Sequence, residues 1–97
     1  NIFPSDLEAI LLADPRVVEA AVVGVPSEEW GETPVAFVVL REGAPEAVRA
    51  ACNAKVGKTQ RLSAITQVSE LPRSAIGKVL KRELRDALMA NVSSSRT

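Results

Sequence analysis

Lys78 is the residue of this chain that is best placed to take part in chemistry. It follows Pro72 and Gly77 in the segment LPRSAIGKVLKRELR, residues 71–85, whose second half is basic and amphipathic. Pro72 fixes one φ angle, Gly77 permits backbone angles that other residues avoid, and the helix predicted next directs its positive end toward Lys78. A flexible ammonium group in this setting can neutralise charge that develops on a phosphate or a carboxylate during a reaction.

The composition excludes several other kinds of chemistry. The chain has no histidine, so it lacks Ser–His and Cys–His nucleophilic pairs and the commonest neutral zinc ligand, and we expect no metal site. Twelve basic and twelve acidic residues give a formal net charge of zero, so no overall field attracts nucleic acid. The apolar runs are too short to span a bilayer. The single cysteine, Cys52, is expected to pack quietly on a helix, and its isolation is typical of the reducing cytoplasm.

Six elements are predicted to position the lysine. Apolar residues at helical spacing and β-branched runs bounded by proline or glycine mark them. In chain order they are helix 4–13, strand 17–25, strand 34–40, helix 46–55, strand 64–68 and a final helix beside Lys78. Ser5 and Glu8 have the form of a capping box for the first helix. The two longer strands are close enough in sequence to pair antiparallel, which predicts an α+β fold: a small sheet, made of this antiparallel pair plus a short further strand, covered by helices.

The end of the chain completes this organisation. The final helix is predicted to place Leu80, Leu84, Ala87 and Leu88 on one face. We assign residues 1–90 to one small domain and the Ser-rich residues 91–97 to a disordered tail. A chain of 97 residues without an initiator methionine is short for an enzyme that encloses several substrates, so we expect it to be part of a longer protein.

Several ordered motifs resemble a known family. They are NIFPSDLE at residues 1–8, AAVVGVP at 20–26, EWGE at 29–32, LPR at 71–73 and the Gly77-Lys78 pair. Together they resemble the C-terminal domain of the acyl- and aryl-CoA synthetases, within the adenylate-forming superfamily. Motifs in the same order at matching separations are more specific than any one of them alone.

The resemblance implies that the chain is the mobile C-terminal lid of a cytoplasmic, ATP-dependent carboxylic acid–CoA ligase. Such a ligase joins a fatty or aromatic acid to ATP, giving acyl-AMP and pyrophosphate, and then passes the acyl group to CoA. Lys78 corresponds to the family lysine that contacts the substrate carboxylate and the nucleotide. The N-terminal domain of the same polypeptide would hold most of the ATP, Mg²⁺ and acyl group, so the lid alone would be inactive.

The resemblance also implies a contact with CoA. Where the family often has an aromatic-Lys-Arg-Pro stretch, this chain reads Thr59-Gln60-Arg61-Leu62 and keeps the arginine. Because this basic stretch can touch the CoA phosphates in aryl-CoA ligases, Arg61 is a candidate CoA-binding residue and Lys58 a second one. Solvated surface charges without a ligand explain both residues equally well.

Two alternatives stay open at this point. In the first, the chain is the lid of an adenylation domain that passes its acyl group to a carrier protein. In the second, it is a stand-alone binding module whose basic last helix docks an acidic protein.

The arrangement of Pro72, Gly77 and Lys78 resembles sites at which bacterial CoA ligases are switched off by lysine acetylation. This resemblance implies a protein lysine acetyltransferase as a partner.

Overall fold

A computed structural model describes residues 4–27, 31–57 and 60–95 of the chain. The elements are α1 (Pro4–Leu12), β1 (Val17–Ser27), β2 (Gly31–Leu40), α2 (Pro45–Asn53), β3 (Ala64–Gln67) and α3 (Lys81–Ser95). Pro45 lies in the first turn of α2, where its missing N–H costs no intrahelical hydrogen bond. All six predicted elements are present. Within the described ranges, no helix is long and apolar enough to cross a lipid bilayer.

In the described ranges, the sheet has three strands in the order β1-β2-β3. β1 and β2 are antiparallel, with Val17 opposite Leu40 at one end and Ser27 opposite Gly31 at the other. β3 runs parallel to β2, because the chain crosses over through α2 before it returns to the sheet. The predicted α+β fold, with an antiparallel pair and a short further strand covered by helices, is confirmed.

Two apolar clusters cover the two faces of the sheet. On the first face α1 and α2 pack on β1 and β2, and the cluster includes Leu7, Leu11, Val22, Val38, Val48 and Cys52. On the second face Leu71 and Leu84, from the segment after β3 and from α3, pack against strand residues that include Ala21, Val23 and Phe37. The lysine segment and α3 are therefore attached to the face opposite α1 and α2.

A β-bulge between Val17 and Glu19 changes which face of the sheet each side chain meets. Val17 belongs to the first-face cluster, whereas Ala21 belongs to the second-face cluster. In a regular strand these two residues would lie on the same face, because side chains alternate with a period of two. The extra residue shifts the alternation, so Glu19 falls in line with Ala21 on the face that carries the lysine segment.

The predicted capping box at the start of α1 is wrong. The helix begins at Pro4, so Ser5 already lies inside it. Glu8 turns toward the sheet, where its Oε2 accepts a hydrogen bond from the backbone N–H of Val22 at 2.8 Å and lies 2.6 Å from Nζ of Lys81. Glu8 therefore joins α1 to β1 and α3, because a strand amide and an ammonium group are better partners for it than the helix end.

The packed face of α3 differs from the prediction. The helix begins at Lys81, so Lys78 lies in the loop before it. Leu84 is buried and Leu88 packs beside it, but Ala87 is exposed. α3 continues to Ser95, through most of the segment for which the sequence predicts a disordered tail. The division into a domain of residues 1–90 and a tail of 91–97 stays a prediction.

Candidate functional site

Lys78 lies in a tight loop, residues 73–79, which we call the lysine loop. The backbone N–H of Ser74 donates to the carbonyl of Lys78 at 2.9 Å, and the N–H of Gly77 donates to the carbonyl of Ser74 at 2.9 Å. The N–H of Lys78 donates to Oγ of Ser74 at 3.3 Å. Ser74 thus organises the turn, while the side chain of Lys78 is exposed and free to reach outward.

Gly77 gives the lysine loop its sharp turn. Its φ is +85°, in the left-handed region that glycine adopts without the steric cost that a Cβ brings. Apart from Gly77 and its two chain neighbours, no heavy atom of the described residues lies within 4 Å of the position that a Cβ would occupy. The requirement for glycine therefore comes from the backbone angle and not from crowding.

The two ends of the lysine loop are tied together. Arg73 and Val79 form an isolated antiparallel bridge. One residue further out on each side, the N–H of Leu80 donates to the carbonyl of Pro72 at 2.8 Å. α3 then begins at once, so the loop is held between the buried Leu71 and the first turn of the helix.

Three basic residues lie close to the N-terminus of α3. Lys78, Lys81 and Arg82 line a shallow depression of about 470 Å³ together with Val79, Leu80 and Glu83. Cations at a helix N-terminus oppose the helix dipole, so their presence there is not explained by helix stability. Lys81 is paired with Glu8, and the exposed cations that remain suit an anionic ligand.

Arg73 and Glu19 are residues of this site that the sequence analysis missed. Nη1 of Arg73 donates to the carbonyl of Gly77 at 2.8 Å, and Nη2 forms an ion pair with Oε1 of Glu19 on β1. Arg73 stands in the motif that the sequence analysis singled out, and this is the signal that could have found it. Glu19 is 54 residues away in the sequence and carries no such signal.

Of the two candidate CoA-binding residues, the structure describes Arg61. Lys58 lies outside the described residues. Arg61 is exposed and stands just before Leu62, which is buried. The backbone of Leu62 is held on both sides by Asn53 of α2: its N–H donates to Oδ1 at 2.8 Å, and its carbonyl accepts from Nδ2 at 3.1 Å. Arg61 therefore projects from a fixed backbone.

The structure does not bring Arg61 and Lys78 together. Arg61 precedes β3 and Lys78 follows it, and among the described residues no hydrogen bond or ion pair joins Arg61 to the lysine loop. A groove of about 610 Å³ between β1 and α3 is lined by residues that include Lys81, Arg82 and Arg85 but not Lys78. The two candidate residues are thus not joined in the part of the chain that the structure describes.

Among the described residues, neither Cys52 nor the acidic side chains form a second reactive centre. Cys52 is buried in the first-face cluster, and this burial raises the pKa of its thiol, so the thiolate is disfavoured. In the part of the chain that the structure describes, no group of three Cys, Asp or Glu residues is arranged to hold a metal ion.

Most of the chain is similar in sequence to known proteins. A family model described as the AMP-binding enzyme C-terminal domain matches residues 6–78. A 2-succinylbenzoate–CoA ligase of Geobacillus kaustophilus is 47% identical over 88% of the chain, and the match spans 18% of that enzyme. A 4-coumarate–CoA ligase-like protein of Oryza sativa is 42% identical over 98% of the chain and is likewise matched over 18% of its length.

A solved structure shows the same fold. MatB of Rhodopseudomonas palustris, crystallised with ATP, is similar over 90% of the chain with a TM-score of 0.81 and 34% identity. The match again covers 18% of that protein. The chain therefore spans less than a fifth of the length of the relatives that it resembles.

Proposed function

The chain belongs to the family of AMP-binding enzyme C-terminal domains, and from this premise we propose that it is the mobile lid of an ATP-dependent carboxylic acid–CoA ligase. The observation that carries the proposal is Lys78, an exposed lysine on a tightly bonded loop within the family match. The similarity to several CoA ligases supports the reaction class. ATP is a substrate in this proposal, and a related protein was crystallised with it.

In the first half-reaction Lys78 would stabilise charge. A carboxylate oxygen attacks the α-phosphorus of ATP, the bond to pyrophosphate breaks, and acyl-AMP forms. The attack brings two anions together, and a single ammonium group between them offsets their repulsion and fixes the direction of approach. Gly77 allows the turn that presents this group, and the hydrogen-bonded loop limits the positions that it can take.

In the second half-reaction Arg61 would help to bind CoA. The CoA thiol attacks the acyl carbonyl, the bond to AMP breaks, and the thioester forms. Arg61 precedes β3 in the chain and Lys78 follows it, so we infer that one orientation of the lid would present the lysine and another would present the arginine. Rotation about a hinge allows one active site to carry out two steps in this way.

The proposal includes partners outside the chain. The N-terminal domain of the same polypeptide would bind most of the ATP, its Mg²⁺ and most of the acyl group. Matches that cover only 18% of each relative support such a domain. The single, buried cysteine is in keeping with a cytoplasmic location.

The test is to replace Lys78 in the full-length enzyme that contains this chain and to assay each half-reaction. Lys78→Ala should slow acyl-AMP formation by about 10²-fold or more, because one transition-state charge contact is lost. Thioester formation from presynthesised acyl-AMP should persist. Lys55→Ala, which removes another exposed lysine, is the matched control and should leave both steps unchanged. Equal loss in both half-reactions would refute the assignment.

The same assay tests acetylation of Lys78. The side chain is exposed on the lysine loop, so an acetyltransferase can reach it. Acetylation removes the ammonium charge and leaves a neutral amide, so adenylation should fall as it does in Lys78→Ala. Treating the enzyme with a protein acetyltransferase and acetyl-CoA, then mapping the modified peptides, checks this. Full adenylation activity of enzyme acetylated at Lys78 would contradict the switch.

A further inference from the structure

An ion pair between Arg73 and Glu19 attaches the lysine loop to β1. The loop's internal hydrogen bonds, all within residues 73–78, set its shape but do not set its position on the sheet. The Arg73 guanidinium connects the loop to the sheet. One of its terminal nitrogens donates to the carbonyl of Gly77, and the other pairs with Glu19 of β1. The planar guanidinium suits this task, since a single ammonium group cannot reach two acceptors with such fixed geometry.

The bonded carbonyl is the one that controls Lys78. The carbonyl of Gly77 and the N–H of Lys78 belong to the same peptide plane, which is rigid. Arg73 holds the oxygen of this plane at 2.8 Å, and Oγ of Ser74 accepts from its N–H at 3.3 Å. With both ends of the plane held, the direction in which the Lys78 side chain leaves the backbone is restricted.

A β-bulge in β1 places Glu19 on the face of the sheet that carries the lysine loop. The β-bulge between Val17 and Glu19 aligns Glu19 with the second-face residues, on the side where Leu71 and Leu84 pack. Without the bulge, Glu19 would alternate to the face covered by α1 and α2. The irregularity in β1 and the ion pair with Arg73 therefore belong to one arrangement.

The pair contributes more to position than to stability. The side chains of Arg73 and Glu19 are 43% and 31% exposed, and ion pairs at such sites add little to global stability. We propose that Glu19 and Arg73 are positioning residues for adenylation, which hold the Gly77–Lys78 peptide in the orientation that presents the ammonium group. This inference rests on the proposed function of Lys78.

The experiment compares Glu19→Ala with wild type in the full-length enzyme. Because a displacement of about 1 Å can cost up to about 10²-fold in rate, we expect acyl-AMP formation to slow by roughly 10- to 100-fold. Thioester formation from presynthesised acyl-AMP should stay near wild type. Glu19→Gln keeps an oxygen that accepts a hydrogen bond, so it should recover part of the lost rate.

Two controls separate positioning from a general loss of structure. Glu46→Ala breaks another pair, Glu46 with Arg49, in which the arginine also bonds a loop carbonyl, that of Leu62. This variant should leave adenylation unchanged. Since Glu19 acts through Lys78, the double variant Glu19→Ala/Lys78→Ala should be no slower than Lys78→Ala alone.

Hydrogen exchange gives a readout that does not depend on activity. Glu19→Ala should speed exchange at the amides of Ser74, Gly77 and Lys78, and Glu46→Ala should not. Wild-type exchange there, wild-type adenylation, or additive losses in the double variant would each overturn the inference. If Lys78→Ala itself leaves adenylation intact, the proposed function fails first; if Lys78→Ala is slow and Glu19→Ala is not, only the positioning role fails.

Discussion

Arg61 and Lys78 are two exposed cations whose surroundings differ. The backbone at Lys78 is held by Ser74, Arg73 and the turn at Gly77, so the ammonium group starts from a restricted position. The support of Arg61 is one residue removed: Asn53 bonds the backbone of its neighbour Leu62. A lysine held at its own peptide suits a transition state with strict geometry, and an arginine held through its neighbour suits a phosphate that needs only attraction.

The CoA role of Arg61 leads to a specific expectation. In the full-length enzyme, Arg61→Ala should raise the Michaelis constant for CoA, by an amount that shrinks as salt is added, because an exposed contact with a phosphate is screened. ATP–pyrophosphate exchange, which reports the first half-reaction alone, should stay near wild type. Arg41→Ala, at another exposed arginine, is the control. A fall in exchange without a change in CoA dependence would move Arg61 to the first half-reaction.

Glu8 joins three elements at one carboxylate. It lies on α1, accepts the N–H of Val22 on β1 and pairs with Lys81 at the start of α3. Val22 is completely buried, so water has little access to its amide. The carboxylate therefore attaches the helices on both faces of the sheet to the same strand, close to the point where the lysine loop enters α3.

Replacing Glu8 should lower the free energy of unfolding. Glu8→Ala leaves the buried N–H of Val22 without its acceptor, which costs about 1–3 kcal/mol. Glu8→Gln keeps an acceptor and loses only the attraction of a half-exposed Lys81, so its cost should be about 0–1 kcal/mol. Urea unfolding of the chain measures both. Equal costs for the two variants would show that the ion pair, and not the bond to Val22, matters more.

The helices and strands could be predicted from sequence because their signals are local. Periodic apolar residues and proline boundaries marked α1, α2 and all three strands within a few residues. The arrangement around the candidate site could not be predicted in the same way. The β-bulge before Glu19, the reach of Arg73 and the turn of Glu8 toward Val22 depend on which elements meet in space. The functional roles of Lys78 and Arg61 stay predictions.

The two loops at one edge of the fold are joined through Asp14 and Arg16. Asp14 accepts two hydrogen bonds from the Arg16 side chain, at 3.0 and 2.7 Å, and one from the Arg16 backbone N–H at 2.9 Å. The Arg16 carbonyl in turn accepts from the N–H of Arg41, just after β2, at 2.9 Å. The turn between α1 and β1 is thereby linked to the turn between β2 and α2.

This junction makes the stability of the whole chain depend on pH. The hydrogen bonds from Arg16, side chain first and backbone second, lower the pKa of Asp14 from its ordinary value of 3.8 to about 2. A carboxyl group with a lowered folded-state pKa stabilises the fold above its unfolded-state pKa, and the contribution disappears as pH falls through the folded-state value. The contribution of Asp14 should therefore be complete above about pH 4 and decline toward pH 2.

Asp14→Asn tests this link. The variant loses the charge that Arg16 binds, so it should unfold at lower urea concentration than wild type at neutral pH. As pH falls from about 4 to about 2, wild type should lose its advantage and the two midpoints should converge, because Asp14 becomes protonated in both states. Asp86→Asn, which removes an exposed carboxylate on α3, separates this effect from a change in net charge. A difference between Asp14→Asn and wild type that is constant from pH 7 to pH 2 would mean that Asp14 acts through its shape and hydrogen bonds and not through its charge.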